Sequence, residues 1–209
     1  MSEAQLTVGG HGAGLVEASP FSVSTKKLVM WLFIISDAMT FAAILVAYGF
    51  LRNASPNWPA PFKFSPSIIN VMVMTFILIS SSLTMLIAVR AAQSGDKSAA
   101  FTWVLITALG GAVFALLHVR EWLGMIGEGV RLFQNPWGAP LFGAAFFSVT
   151  GLHLLHVTCG VIALVIVGLR YKGGRYDAGD IEILGLYWHF VDIVWMFVVP
   201  LIYLLSIEH

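Results

Sequence analysis

Residues 186–197 read LYWHFVDIVWMF, and the apolar, aromatic character of this stretch continues to about Ile207. A helix that crosses a bilayer needs about 20 predominantly apolar residues, and this part of the chain is long enough. His189 and Asp192 lie inside it, three residues apart and therefore on one face of a helix. Because a carboxylate in hydrocarbon costs several kcal/mol, we expect the pair to face protein, water or a partner rather than lipid.

The composition of the whole chain is that of a polytopic membrane protein. Of its 209 residues, 58% are hydrophobic and only 11% are charged, and the mean hydropathy is +0.87. A soluble globular domain of this size is far less apolar and carries more charge. The formal net charge is zero, so bulk charge gives no reason to expect a nucleic-acid partner.

Five apolar windows predict an all-α fold, a bundle of five transmembrane helices. Backbone groups in lipid must be hydrogen-bonded within their own segment, so helices are the expected spanning elements. The connectors are rich in proline and glycine, and Asp180 is the predicted N-cap of the fifth helix. Residues 1–25 are predicted to form a flexible tail without a secretory signal, and residues 26–209 one membrane domain. The predicted spans are about 27–51, 67–90, 99–122, 140–170 and 181–207.

The basic residues predict the orientation of the bundle. Alternating spans place Lys26, Arg90 and Arg170 with four further basic residues on one side, against Arg52, Lys63 and few others on the opposite side. Cytoplasmic loops carry the excess of lysine and arginine. We therefore predict a cytoplasmic N-terminus and an external C-terminus.

Four of the five predicted spans carry ionisable residues, and histidine–acid spacing on several helices is also seen in metal-binding bundles. Depth argues against a single site: most of these residues lie roughly 12–25 Å from the cytoplasmic end, but the third-helix pair lies at roughly 28–33 Å. We expect that pair to join the others only through strong tilt or kinking, and we expect the chain to bind no metal. The residues are Asp37, His118, Glu121, His153, His156, His189 and Asp192.

Structural roles are the alternatives to a functional role for these residues. His153 and His156 can form hydrogen bonds between helices. Glu121 can pair with Arg120, His118 or water, and Tyr203 can serve as an anchor at the membrane interface. Asp37 can be a structural partner or can take part directly in proton transfer.

Four motifs in order carry a family resemblance. Residues 187–195, YWHFVDIVW, closely resemble the signature of subunit III of haem-copper oxidases. Residues 32–37 (LFIISD), 117–122 (LHVREW) and 151–157 (GLHLLHV) are similar to three further motifs of that family, with Leu154 in place of a glycine, His118 in place of a glutamine and Trp122 in place of a tyrosine. The resemblance covers about residues 26–209. It fits the five-helix form of the family, which lacks two N-terminal helices and the lipid-filled cleft they help to build.

The resemblance implies a non-redox accessory subunit of a proton-translocating terminal oxidase that reduces O₂ to water in aerobic respiration. Since the five-helix form is bacterial, it also implies a multi-pass protein of the bacterial plasma (inner) membrane. It implies no catalytic centre, haem or copper in this chain, since those cofactors belong to subunits I and II. It further implies partners in subunit I, subunit II and other respiratory-complex subunits, as well as bound phospholipid. Asp37 matches the position of the family's intramembrane carboxylate, which is more often glutamate, near the entry of a proton channel.

The sequence leaves two electron donors possible. The motif WHFVD after a tyrosine resembles cytochrome c oxidases, whereas the five-helix length and the residue pair SD at 36–37 resemble quinol oxidases. We favour cytochrome c; an accessory protein of a nitric-oxide reductase is a third reading. A stand-alone transporter or metal-binding bundle is the alternative from another class, and transporters commonly show repeats and broken helices that these spans lack.

Overall fold

The computed structural model describes residues 24–207 and confirms the all-α, five-helix fold. All five helices are long and apolar enough to cross a membrane, and within the described residues the only β-pairing is an isolated bridge between Phe62 and Ile207. The predicted tail falls mainly on residues 1–23, which lie outside the described residues, as do residues 208 and 209. The helices are α1 (Thr25–Ala54), α2 (Ile69–Gln93), α3 (Lys97–Gly127), α4 (Leu141–Lys172) and α5 (Ala178–Val198).

Two helices have irregular extensions on the same side of the bundle. A π-helical turn over Phe64–Ile68 precedes α2. A second π-helical turn, Val199–Tyr203, and a 3₁₀ turn, Leu204–Ser206, continue α5. Pro200 has no backbone N–H to donate into the preceding turn, which explains why regular α-helical bonding ends here.

Side-chain caps fix where three of the helices begin. The Ser24 side chain accepts a hydrogen bond from the Lys27 backbone N–H at 3.4 Å, and Asp96 accepts one from that of Ala99 at 2.9 Å. The prediction that Asp180 caps α5 is wrong, because the N-cap is Asp177. The two aspartates form a capping box, in which each carboxylate accepts from the backbone N–H of the other, at 3.0 and 3.1 Å.

Helices α2 to α5 form a closed ring, and α1 lies outside it. Neighbouring pairs around the ring are α2–α3, α3–α4, α4–α5 and α5–α2, whereas α1 packs mainly against α4 and α5. Trp188 of α5 is fully buried where the ring closes. A Cβ atom built on Gly111 or Gly160 would lie 2.3 or 2.9 Å from the indole, so the absence of a side chain at both glycines makes room for it.

Polar contacts attach α1 to α4 and α5 at three depths. At the predicted cytoplasmic end, two lysines of α1 meet two acids of α5, and halfway along, an aspartate meets a histidine of α4. At the other end, a tyrosine and an arginine reach the 3₁₀ turn after α5. The contacts are Lys26–Asp180 (2.7 Å), Lys27–Glu182 (2.6 Å), Asp37–His156 (2.8 Å), Tyr48–Ser206 (3.2 Å) and Arg52–Ser206 (3.1 Å).

Candidate functional site: the intramembrane polar residues

Asp37 and His156 form the central polar contact between α1 and α4. Nε2 of His156 lies 2.8 Å from Oδ2 of Asp37, which is ion-pair distance, although the angles are not those of a hydrogen bond. Nδ1 of the same ring lies 2.7 Å from the carbonyl oxygen of Leu152, one turn earlier in α4. Both ring nitrogens therefore face an oxygen atom, and the carboxylate and the histidine meet in one layer as their depths predict.

Phe41 connects this contact to the centre of the bundle. It lies one turn after Asp37 in α1 and is only 3% exposed. Its ring centroid is 5.2 Å from that of His156, 6.5 Å from that of His153 and 6.4 Å from that of Phe190. One aromatic side chain thus brings α1, α4 and α5 together beside the polar pair.

His118 and His153 lie together in the core, contrary to the predicted separation of the third-helix pair. Both are fully buried. His153 stacks on Trp195 with a centroid distance of 5.0 Å, and His118 meets the same indole at 5.4 Å. Both rings also lie 5.7 Å from Phe114. The rise per residue separates the two histidines by only roughly 3 Å in depth, which these shared aromatic rings span without a kink.

Three buried side chains at the core have no hydrogen-bond partner among residues 24–207. They are His118 and His153, at both ring nitrogens, and Asp192, at both carboxylate oxygens. Asp192 is 8% exposed and so faces the interior as expected, but the hydrogen bonds expected between helices are absent at His153. An unsatisfied buried polar group costs roughly 1–3 kcal/mol, and at the two histidines the packing against Trp195 and Phe114 offsets part of that cost.

His189 joins α5 to α2 instead of to the Asp37 layer. Its Nδ1 lies 2.5 Å from the hydroxyl oxygen of Ser82. Of the residues predicted to share one layer, only Asp37 and His156 are in direct polar contact, and the face that carries His189 turns towards α2.

Glu121 has a partner that the sequence does not indicate. Its Oε2 accepts a hydrogen bond from the Tyr203 hydroxyl at 3.1 Å, whereas its Oε1 is buried without a partner in the described chain. The prediction of Tyr203 as an interface anchor is wrong, because this side chain is fully buried. The contact depends on the π-helical turn Val199–Tyr203, and no regular periodicity marks its position.

The hypothesis of a metal site finds no support in the arrangement of these residues. Within residues 24–207, no group of three or more His, Cys, Asp or Glu side chains converges as a metal would require. The histidines instead have three different surroundings: His118 and His153 share the Trp195 and Phe114 rings, His156 lies against Asp37, and His189 lies against Ser82.

A protein-family model described as cytochrome c oxidase subunit III matches residues 17–207. The chain belongs to this family. The cytochrome c oxidase subunit 3 of Alkalihalophilus pseudofirmus is 27% identical over 194 residues, covering 91% of this chain and 92% of the relative. The quinol oxidase subunit 3 of Bacillus subtilis is 31% identical, with coverage of 86% and 87%, and a probable cytochrome c oxidase subunit 3 of Mycobacterium tuberculosis (strain H37Rv) is 33% identical, with 88% of each chain covered.

As a member of the subunit III family, the chain is a multi-pass membrane protein and a component of an oxidoreductase complex. Membership implies association with other oxidase subunits and a role in the respiratory chain. The resemblance on four short motifs is thereby confirmed over nearly the whole chain.

The four motifs of this subunit III meet in pairs. The LFIISD motif of α1 contacts the GLHLLHV motif of α4 through Asp37 and His156. The LHVREW motif of α3 contacts the YWHFVDIVW motif of α5 through His118 and Trp195. His153 of the α4 motif links the two pairs, because its ring stacks on Trp195 and lies near Phe41, which in turn packs on His156. The motifs thus mark one continuous contact region that joins four helices.

Proposed function

We propose that this chain is a non-redox accessory subunit of a proton-translocating haem-copper oxidase that reduces O₂ to water in a bacterial plasma membrane. It binds subunits I and II, which hold the haem and copper, and stabilises subunit I. The observation that carries the proposal is the match of residues 17–207 to the family described as cytochrome c oxidase subunit III. Within the described residues, Asp37, Glu121 and His189 each contact a polar group on another helical element, as residues that hold a bundle together do.

The exposed surface of α1 supports a role in holding a partner or lipid. Only 6% of its most apolar window is buried within the chain, so most of its apolar surface is available to other molecules. An apolar helix surface within a membrane is covered either by acyl chains or by a neighbouring helix. Large exposed side chains on this helix are Val29, Trp31, Leu32, Phe33, Ile35, Met39, Val46 and Phe50.

Asp37 supports the proposed link to proton uptake. Its side chain is 15% exposed and lies on this same outer helix. With the predicted orientation, it lies roughly 18 Å along α1 from the cytoplasmic end, the side from which protons enter. A charge in a low-dielectric environment acts strongly on nearby water, lipid and protons. The proposed role is to support proton uptake by subunit I, without transferring electrons.

Cytochrome c is the proposed electron donor, and quinol is the second candidate. The second is kept because a relative named quinol oxidase subunit 3 is 31% identical over 86% of this chain. Relatives named for either donor class therefore cover this chain to a similar extent. Because similarity does not choose between the two donors, the experiment below measures the donor directly.

The test is purification of the native complex in mild detergent through an affinity tag on this chain, with an untagged strain as control. We expect two larger subunits to co-purify, haem bands in the optical spectrum, and O₂ consumption with reduced cytochrome c. Consumption with quinol alone would select the second candidate. A colourless single chain that carries bound metal would contradict the oxidase assignment.

A further inference from the structure

Two adjoining cavities follow the seam between α2 and α3. The first, of about 560 Å³, lies between the start of α2 and the end of α3, and charged side chains contribute to its lining: Arg120, Glu121 and Glu128. The second, of about 340 Å³, lies in the middle of the seam and is lined almost wholly by apolar groups, such as Phe76 and Leu109. The seam is thus polar at one end and apolar along its middle.

The two cavities follow one another along α3, and together they are as long as one lipid leaflet is thick. Leu117 lines the first and Val113 the second, one turn apart on α3. From Arg120 to Ile106, at the far end of the second cavity, the helix rises roughly 21 Å. Half of a bilayer, including its headgroup region, measures about 20–22 Å. A single phospholipid therefore matches the seam from headgroup to the end of its acyl chain.

The charges in the first cavity select the type of headgroup. Arg120 offers a guanidinium group, whose paired N–H donors suit a phosphate. Two carboxyl side chains, Glu121 and Glu128, line the same cavity, and Oε1 of Glu121 has no partner among the described residues. Two acids against one base disfavour a headgroup with only negative charge and favour one that also carries an ammonium group.

We infer that the α2–α3 seam binds one aminophospholipid, such as phosphatidylethanolamine. Its phosphate pairs with Arg120, its ammonium group lies among Glu121 and Glu128, and one acyl chain lies in the groove beside Ser80 and Gly110. This site deepens the lipid-binding part of the proposed function and rests on the chain acting as a membrane subunit. With the predicted orientation, the lipid belongs to the outer leaflet.

The test is native mass spectrometry of the intact complex after delipidation and exposure to phosphatidylethanolamine or phosphatidylglycerol with the same acyl chains. We expect one retained phosphatidylethanolamine for each copy of this chain, and about tenfold weaker retention in Arg120→Gln. Arg131→Gln is the matched control, because Arg131 is exposed at the same end of the bundle but does not line the cavity. Inorganic phosphate in place of lipid should not compete.

A second pair of variants tests the acyl-chain groove. Ser80→Phe fills the groove and should also reduce retention, whereas Ser148→Phe, at an exposed position of α4, should not. Equal retention of both lipids, competition by phosphate, or unchanged retention in Arg120→Gln or in Ser80→Phe would overturn the inference. Loss of a partner subunit instead of lipid would show that the seam is a protein interface. The haem spectrum of the same preparation tests the oxidase assignment separately.

Discussion

The first and last helices are equally apolar but occupy opposite kinds of environment. The most apolar windows of α1 and of Ala178–Ser206, which is α5 with its irregular extension, have mean hydropathies of 2.1 and 1.9, yet 6% of the first and 50% of the second are buried within the chain. Hydropathy therefore indicates that a helix can cross a membrane but not where it lies in a bundle. The position of each helix depends on side chains that contact specific neighbours.

The two helices are also held by different interactions. Large buried side chains hold α5: Trp188 donates from Nε1 to the Ser81 hydroxyl and Trp195 to that of Thr75, both at 3.0 Å. For α1, polar contacts at three depths are more important, since lipid tails cover its apolar surface as well as another helix does. Loss of a core side chain should therefore damage the bundle, whereas loss of a polar contact should loosen only α1.

The largest effect is expected for Trp188→Ala. The substitution removes a fully buried indole from between Gly111 and Gly160 and leaves the Ser81 hydroxyl without its donor. Such a change costs about 3–5 kcal/mol, and we expect a large fall in the melting temperature of this subunit within the purified complex. Phe197→Ala on the same helix is the control, because that side chain is 58% exposed and should shift the melting temperature far less. Equal shifts would refute the contrast between core and surface.

An intermediate effect is expected for Asp37→Ala. The variant leaves Nε2 of His156 without its acidic neighbour, at a cost of roughly 1–3 kcal/mol. We expect the first turnover to survive and the number of turnovers before inactivation, or proton pumping in vesicles, to decrease. His156→Ala should have a similar effect, and the double variant should be little worse than either. Additive losses would show that the two side chains act independently.

The smallest effect is expected for Lys27→Gln at the predicted cytoplasmic end of α1. The ion pair with Glu182 is short, at 2.6 Å, but the two side chains are 32% and 37% exposed. Exposed ion pairs contribute about 0.2–1 kcal/mol and are screened by salt. The melting temperature should fall slightly at low ionic strength, and the difference from the unmodified protein should vanish at high salt. A large, salt-independent fall would mean that this end of α1 carries more of the attachment.

The helices could be predicted from the sequence because membrane spans depend on length and apolar composition. The predicted span 140–170 corresponds to α4 at Leu141–Lys172. The sequence is less informative about where a helix begins. Asp177 and Asp180 are both suitable N-cap residues, and the structure shows that Asp177 is the N-cap of α5. The seven intramembrane residues are also visible in the sequence, since charge is rare in such segments.

The partners of those residues could not be predicted, because contacts between helices depend on rotation and packing. His118 meets Trp195 and Glu121 meets Tyr203 across different helices, and the second contact needs an irregular turn. The depth of each residue along its helix correctly placed Asp37 beside His156, but it wrongly separated His118 from His153. A difference of about two residues of rise is smaller than an aromatic side chain.

The most direct test of the central claim is depletion of this chain from the purified oxidase. If the chain is a non-redox accessory subunit, the haem spectrum and the first turnover should be unchanged. The number of turnovers before inactivation should fall further than in Asp37→Ala, because depletion removes both the polar pair and the apolar surface of α1. Loss of the haem bands together with the first turnover would contradict the account.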